Sequence, residues 1–120
     1  MIDSNTLEYI NLIVTDEKGF LIDKNGVDSI VNSAMQTFDG NFLIPDEIDR
    51  IINVYYHLAT TQYFSDGNKR TAELSLKMNC VEYGYKFEAK DGDIAKITMD
   101  VANHKLSEED CKIILRKYIK

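Results

Sequence analysis

The sequence predicts a compact, mostly α-helical domain of about six or seven short helices. Apolar residues recur with helical spacing in several segments, the 120 residues include only one proline, and 44% of them are hydrophobic. A chain of this length buries one core, so we expect a single domain over residues 1–120. The net charge of −6 argues against direct binding to nucleic acid or to an anionic membrane.

The N-terminal third predicts helices on either side of an extended segment. Asn5 and Glu8 have the spacing of a capping pair that opens a first helix. The segment IVTDEKGFLI, residues 13–22, predicts two extended pieces around a turn at 16–19. Apolar residues at helical spacing predict a second helix over residues 27–37.

The strongest helical pattern begins at Pro45 and Asp46, both of which suit a first turn. The apolar stripe then ends on a polar residue, Gln62, which we expect to point inward at the end of this helix. The seven residues of the stripe are Ile48, Ile51, Ile52, Tyr55, Leu58, Ala59 and Gln62.

Three further helices are predicted in the C-terminal half. Residues 71–83 carry apolar side chains on two faces, which is typical of a helix buried in the middle of a bundle, and Gly84 is a natural stop. Residues 94–101 form the next helix, and Ser107 is a good N-cap for the last one.

Cysteine and histidine content limits the chemistry. Cys80 and Cys111 form no CxxC motif, and His57 and His104 are the only histidines, so a zinc cluster cannot be assembled. We expect reduced cysteines and a cytoplasmic location, because the polar N-terminus is unlike a signal peptide and no apolar run reaches the length of a membrane span.

The pair Asp-Gly occurs three times, at 39–40, 66–67 and 91–92, but only the second pair runs into two adjacent cations, Lys69 and Arg70. Cations are unfavourable in the first turn of a helix, so bound phosphate would explain them, with Gly67 allowing close approach and Asp66 holding Mg²⁺. The alternative is an Asx turn that caps a helix, with both cations paired to surface acids.

The segment QYFSDGNKRTA, residues 62–72, resembles the signature of the Fic/Doc superfamily, His-Pro-Phe-x-Asp/Glu-Gly-Asn-x-Arg. Its Gly-Asn-Lys-Arg-Thr ending is similar to that of the Doc (death-on-curing) toxin branch. The resemblance extends in helix order over about residues 24–119. The matching positions are Phe64, Asp66, Gly67, Asn68, Lys69, Arg70 and Thr71.

The resemblance implies a small helical domain that transfers part of a nucleotide to a hydroxyl group of a target protein. Most members transfer AMP, whereas Doc-type toxins act as kinases that move a phosphate onto elongation factor Tu. It implies a nucleoside triphosphate, ATP first of all, with Mg²⁺ on Asp66, an anion hole at Gly67 and Asn68, and a core anchor at Phe64. The implied nucleotide-binding residues are Gly67, Asn68, Lys69, Arg70 and Thr71, and the implied catalytic positions are Gln62, Asp66, Asn68 and Arg70.

Two expectations concern partners. In the family a flap before the motif helix aligns the target, and TFDGNFLI, residues 37–44, occupies that place as a small hairpin flap or as a plain connecting turn. The inhibitory pattern Ser/Thr-x-x-x-Glu-Gly/Asn of many Fic proteins does not occur in the sequence. If the active form is restrained, we therefore expect a separate antitoxin.

The main departure from the family pattern is Gln62, which stands where the family has its general-base histidine, next to Tyr63 in place of the proline. An amide cannot take up a proton near neutral pH, and loss of a general base costs about 10²–10⁴ in rate. His57 lies about 140° around the helix from Gln62, so we reject it as a substitute, and His104 is expected in a loop. Gln62 thus indicates a weak transferase, a binding-only relative, or a deliberate inactivating change.

Overall fold

Six α-helices make up most of the computed structural model, which describes residues 1–90 and 92–120. This confirms the all-α prediction, while Asp91 of the third Asp-Gly pair lies outside the described residues. No helix of the described part is both long and apolar enough to span a membrane. The elements are α1 (Ser4–Val14), α2 (Lys24–Ala34), β1 (Thr37–Phe38), β2 (Asn41–Phe42), α3 (Glu47–Thr60), α4 (Asn68–Glu82), α5 (Asp93–Ala102), α6 (Glu108–Leu115) and a 3-10 turn (Arg116–Tyr118).

Helix α3 forms the centre of the core and packs most extensively against α4, with α2, α5 and α6 around it. Ile51, Ile52 and Tyr55 are fully buried on it, and each apolar side chain of this size contributes about 1.5–3 kcal/mol on burial. The Tyr55 hydroxyl lies 2.6 Å from Thr98 Oγ1, which ties α3 to α5. Because α3 and α4 are both anchored in this core, the connection between them, residues 61–67, is held at both ends.

Four of the helices begin with a side-chain cap that accepts a hydrogen bond from the first turn. Ser107 and Asp110 form a reciprocal capping box at α6. Helices α4 and α5 instead follow left-handed glycines, Gly67 at φ 73° and Gly92 at φ 89°. The four capping side chains are Asp3, Asp23, Asp46 and Ser107.

The first helix differs from its prediction in both its start and its end. It is capped by Asp3 rather than by Asn5 with Glu8, and it continues to Val14. The first of the two extended pieces predicted in 13–22 is therefore wrong, whereas the second contains a β-bridge residue, Leu21. The backbone leaves the helix through Asp16 and Glu17, both at positive φ, and Leu21 pairs with Phe64 instead of with a local partner. The segment around Leu21 therefore pairs with the distant motif loop and not with the residues just before the turn at 16–19.

The predicted small hairpin is present as β1 and β2, which pair antiparallel around Asp39 and Gly40, both at positive φ. Helix α4 begins at Asn68, three residues earlier than predicted, and ends before Gly84 as expected. Its predicted second buried face is wrong, because Val81 is 69% exposed. Helices α1, α3 and α5 pack against α4 and leave that side uncovered.

Both cysteines are free and buried. Burial raises the pKa of Cys80 and of Cys111 to about 11, so neither thiol ionises near neutral pH. Neither is therefore suited to act as a nucleophile.

Candidate functional site

A cleft of about 440 Å³ opens where the end of α3, the connection 61–67, the start of α4 and the end of α5 meet. It brings together Gln62, Asp66, Gly67, Asn68 and Lys69 of the predicted site. The remaining lining comes from α3, from the loop before α2 and from the end of α5, namely Ile22, Ala59, Thr60, Thr61, Phe64, Ser65, Ala102, Asn103 and His104.

The motif loop, residues 62–67, is held in shape by its own side chains. Phe64 is buried in the core, as the family resemblance implies. The Asn68 amide closes the turn behind it, because Oδ1 accepts from the Phe64 N–H at 3.1 Å and Nδ2 donates to the Phe64 carbonyl at 2.9 Å. Asn68 thus fixes the loop geometry with both ends of its amide.

A second segment, residues 20–23, pairs with the loop. The Ser65 N–H donates to the Phe20 carbonyl at 2.9 Å, and the Ile22 N–H donates to the Tyr63 carbonyl at 2.7 Å. The Phe20 N–H also donates to Ser65 Oγ at 3.0 Å. These bonds fix the backbone of both segments and bring Ile22 to the edge of the cleft.

Buried polar residues of α1 support the loop from below, and the sequence interpretation missed them. Asn11 is fully buried, and its Nδ2 donates to the Asp66 carbonyl at 2.7 Å and to Thr71 Oγ1 at 3.1 Å. Thr15 packs so close that a Cβ added at Gly67 would lie 2.5 Å from its methyl group. The available signal was an asparagine on the apolar stripe of α1 beside Leu7 and Ile10.

The N-terminus of α4 faces the cleft without a side-chain cap. Its first backbone bond runs from the Thr71 N–H to the Gly67 carbonyl at 2.8 Å, so the N–H groups of residues 68–70 have no acceptor inside the helix. Among the six α-helices of the described residues, α4 alone lacks both a side-chain cap and an acidic residue in its first turn. Free N–H groups and the helix dipole together favour an anion here.

Asp66 stands at the rim with an accessible carboxylate, 63% exposed. Its Oδ1 accepts from the Gly67 N–H at 2.7 Å, and its Oδ2 lies 3.7 Å from Arg70 Nη2. No group of three or more metal-ligating side chains occurs in residues 1–90 and 92–120. One exposed carboxylate beside an anion site suits Mg²⁺ that is shared with phosphates, and it does not suit a metal enclosed by protein ligands alone.

The two predicted cations and Thr71 have different surroundings. Lys69 is exposed and lines the cleft. Arg70 donates to the Val14 carbonyl, which joins α4 to the end of α1. It also pairs with the exposed Asp66, and this pair is the part of the alternative interpretation that the structure shows. Thr71 is fully buried against Asn11 and lies outside the cleft. Its hydroxyl is therefore not accessible to a phosphate, contrary to the expectation for Thr71.

Gln62 lines the cleft beside the motif loop, but it is exposed, and the prediction that it points inward from the end of α3 is wrong. Two threonine hydroxyls bond to carbonyls of the last turn where α3 ends at Thr60. Thr60 donates to the Tyr56 carbonyl at 2.9 Å, and Thr61 donates to the His57 carbonyl at 2.7 Å. At Thr61 the backbone is already in an extended conformation, so Gln62 lies beyond the helix, exposed at the mouth of the cleft.

The two histidines lie in different places. His57 Nε2 is 3.6 Å from Glu108 Oε1 on α6, which agrees with its rejection as a base. His104 lies in the loop between α5 and α6 as expected, and it also lines the cleft. No sequence signal marked this second fact, because residues far apart along the chain meet there.

Comparison with known proteins gave one match. A family model described as the Fic/DOC family matches residues 2–79, which is more than half of the chain. The matched region includes α1, which lies before the predicted start of the resemblance, and it ends within α4. Neither the curated proteins nor the solved structures gave a match.

Proposed function

The chain belongs to the Fic/DOC family, and on that premise we propose that it binds a nucleoside triphosphate, ATP first of all, with Mg²⁺ in the cleft. It transfers a phosphate or a nucleotide moiety to a Ser or Thr hydroxyl of a host protein. The observation that carries the proposal is the uncapped N-terminus of α4, which faces a polar cleft with Gly67 and Lys69 beside it.

The phosphates occupy the start of α4. Three backbone N–H groups, those of residues 68–70, have no helical acceptor there, and Gly67 at φ 73° brings the backbone close without a side chain. Lys69 supplies a mobile positive charge at the same opening. The first-turn cation that is unfavourable in the free protein becomes favourable once an anion is bound.

Mg²⁺ would be held by Asp66 together with the phosphates, and it would neutralise charge that develops on the transferred group. In the free protein Arg70 neutralises part of the Asp66 charge from 3.7 Å. Arg70 also fixes the end of α1. The chain thus presents one cation, Lys69, to the cleft and uses the other to join α1 to α4.

Gln62 limits the reaction. Its amide can orient a hydroxyl group by hydrogen bonding, but it cannot accept the proton. Positioning and charge stabilisation carry much of phosphoryl transfer, so slow turnover is consistent with this residue. The exposed, uncharged Gln62 also favours a second candidate function, that of a nucleotide-binding relative without turnover.

The acceptor docks beside the β1–β2 hairpin in our proposal. Both strands are exposed, and Phe38 is 77% exposed, so the hairpin can pair with an extended segment of a target. By resemblance to the Doc branch, the target is a translation factor such as elongation factor Tu and a separate antitoxin restrains the activity.

Two assays test the proposal. Thermal unfolding with and without ATP and Mg²⁺ should show stabilisation by the ligands. Incubation with bacterial lysate, Mg²⁺ and ATP labelled at the α- or γ-phosphate should label a host protein, and Gln62→His should label it faster. The labelled position identifies the transferred group. Absence of ligand stabilisation in both forms would refute the nucleotide site.

Stabilisation without transfer in either form would instead favour the non-catalytic candidate. This outcome has meaning only if an active family member labels its target in the same lysate. A Lys77→Ala variant, which changes an exposed lysine of α4 outside the cleft, serves as the control for altered charge.

A further inference from the structure

His104 provides an imidazole in the same cleft as the motif loop. The charged side chains that line the cleft with it are Asp66 and Lys69. It lies just after α5, whereas Gln62 lies just after α3, so the ends of two different helices place these two side chains around one opening. The amide at position 62 cannot take up a proton, and an imidazole can.

The backbone at His104 is held in a defined conformation. Its φ is 59°, in the left-handed region. The His104 N–H donates to the Val101 carbonyl at 3.0 Å, and the Lys105 N–H donates to the Asp100 carbonyl at 2.9 Å, so the turn closes the C-terminus of α5. Glycine is the usual residue at such a position, where a side chain carries a conformational cost. A histidine at this position therefore carries a conformational cost, and a function of its side chain would account for that cost.

The His104 side chain is exposed and makes no hydrogen bond or ion pair with any residue of 1–90 and 92–120 in the structure. His57 differs, because it pairs with Glu108 outside the cleft. Of the two histidines, His104 is thus the one that lines the cleft and whose side chain is not engaged by another described residue.

We propose that His104 accepts the proton of the attacking hydroxyl, in place of the side chain at position 62. The inference rests on the proposed transferase function. The hydroxyl oxygen of the target forms a bond to the transferred phosphorus, and its proton passes to the free ring nitrogen of His104. The bond from that phosphorus to its bridging oxygen breaks, and the electron pair departs with the leaving group, which is ADP when phosphate is transferred and pyrophosphate when AMP is transferred.

His104→Gly is the most informative variant, because glycine fits the positive φ and the turn is preserved. It removes the imidazole and leaves a space at the edge of the cleft. His57→Ala is the matched control, since it removes the other histidine from outside the cleft. Each variant is assayed for stabilisation by ATP with Mg²⁺ and for label transfer in lysate, with and without added imidazole.

We expect His104→Gly to retain stabilisation by ATP, to lose label transfer by about 100-fold or more, and to recover part of it when imidazole is added. His57→Ala should transfer label like the unchanged chain. Recovery by imidazole separates a proton acceptor from a residue that only shapes the turn.

Three results would overturn the inference. They are unchanged transfer by His104→Gly, loss of transfer that imidazole does not restore, and transfer by Gln62→His alone while the unchanged chain has none. In all three the nucleotide site still stands, because ATP still stabilises the protein. If ATP stabilises neither the unchanged chain nor Gln62→His, the proposed function fails first and this inference fails with it.

Discussion

The N-termini of α3 and α4 are built in opposite ways. At α3, the N-cap Asp46 accepts from the Asp49 N–H at 3.0 Å, and the first turn holds two further acidic residues, Glu47 and Asp49. Arg116 then donates to Asp46 at 2.7 Å and to Asp49 at 2.8 Å. The chain's own carboxylates thus satisfy the positive end of this helix, and a cation from the other end of the sequence compensates them.

The start of α4 has neither a capping side chain nor an acidic residue in its first turn. Gly67 supplies no side chain, and cations occupy the first turn. The loop is fixed from behind by the Asn68 amide and from below by Asn11, which leaves the outer surface to the backbone N–H groups. The carboxylates at α3 thus stabilise the start of that helix, whereas the start of α4 leaves its N–H groups open to the phosphates of the proposed function.

The largest effect is expected at Gly67. Gly67→Ala should cost about 2–4 kcal/mol in free energy of unfolding, because it combines a left-handed backbone at φ 73° with a Cβ that lies 2.5 Å from the Thr15 methyl group. Gly84→Ala is the control, since its φ is 84° and nothing lies within 4 Å of an added Cβ. It should cost only about 1 kcal/mol. Equal losses in urea unfolding would contradict the close packing of Thr15 under the loop.

Removal of the support below the loop comes next. Asn11→Ala should cost about 1–3 kcal/mol, because the Asp66 carbonyl and the Thr71 hydroxyl lose a buried donor, and it should also weaken stabilisation by ATP. Asn79→Ala is the matched control. Asn79, on α4, is fully buried like Asn11, but it accepts from the Ile2 N–H, away from the cleft. It should lower stability and leave ATP binding unchanged. If both variants bind ATP equally well, Asn11 does not position the site.

Lys69 should affect binding without affecting folding. Lys69→Ala should weaken ATP binding by about tenfold, since one charge-assisted contact is lost, and calorimetric titration measures this directly. Its stability should be unchanged or higher by a few tenths of a kcal/mol, because a cation leaves the first turn. Lys77→Ala should change neither quantity. A loss of stability in Lys69→Ala would show that Lys69, like Arg70, stabilises the fold.

Asp46→Ala tests the other side of the comparison. The backbone N–H of Asp49 and the Arg116 guanidinium lower the pKa of Asp46. A carboxylate with a lowered folded pKa stabilises the protein above its unfolded pKa, and this contribution is lost as the pH falls through the folded value. The variant should therefore lose about 1 kcal/mol at neutral pH, and this loss should shrink as the pH falls below the ordinary pKa of an aspartate. A stability difference that does not depend on pH would contradict a contribution from the ionised Asp46 carboxylate. ATP binding should be the same in the variant and in the unchanged chain.

The sequence predicted the elements that are determined by local residue patterns. The helical spacing from 48 to 59 located α3, and the Asp39-Gly40 pair located the hairpin turn. It failed where distant residues compete with local preference. The segment 20–22 pairs with the motif loop instead of with 13–15, and α3 ends at Thr60, before Gln62, so the apolar stripe does not continue as a helix.

The candidate site was predictable only along the motif. Asp66 to Lys69 are contiguous, and the family pattern marks them. Asn11, Thr15 and His104 approach that motif through the packing of α1 and α5. Their spacing along the chain contains no information about that packing, so only the structure places Asn11 and Thr15 under the loop and His104 at the cleft.

The most direct test compares the backbone N–H groups at two helix starts in one spectrum. ATP with Mg²⁺ is titrated into ¹⁵N-labelled protein, and the amide shifts of residues 67–70 are followed beside those of residues 108–110, where Ser107 already caps α6. We predict the largest shifts at 67–70 and almost none at 108–110. Small shifts at 67–70, or equal shifts at both helix starts, would contradict the claim that the start of α4 binds the phosphates.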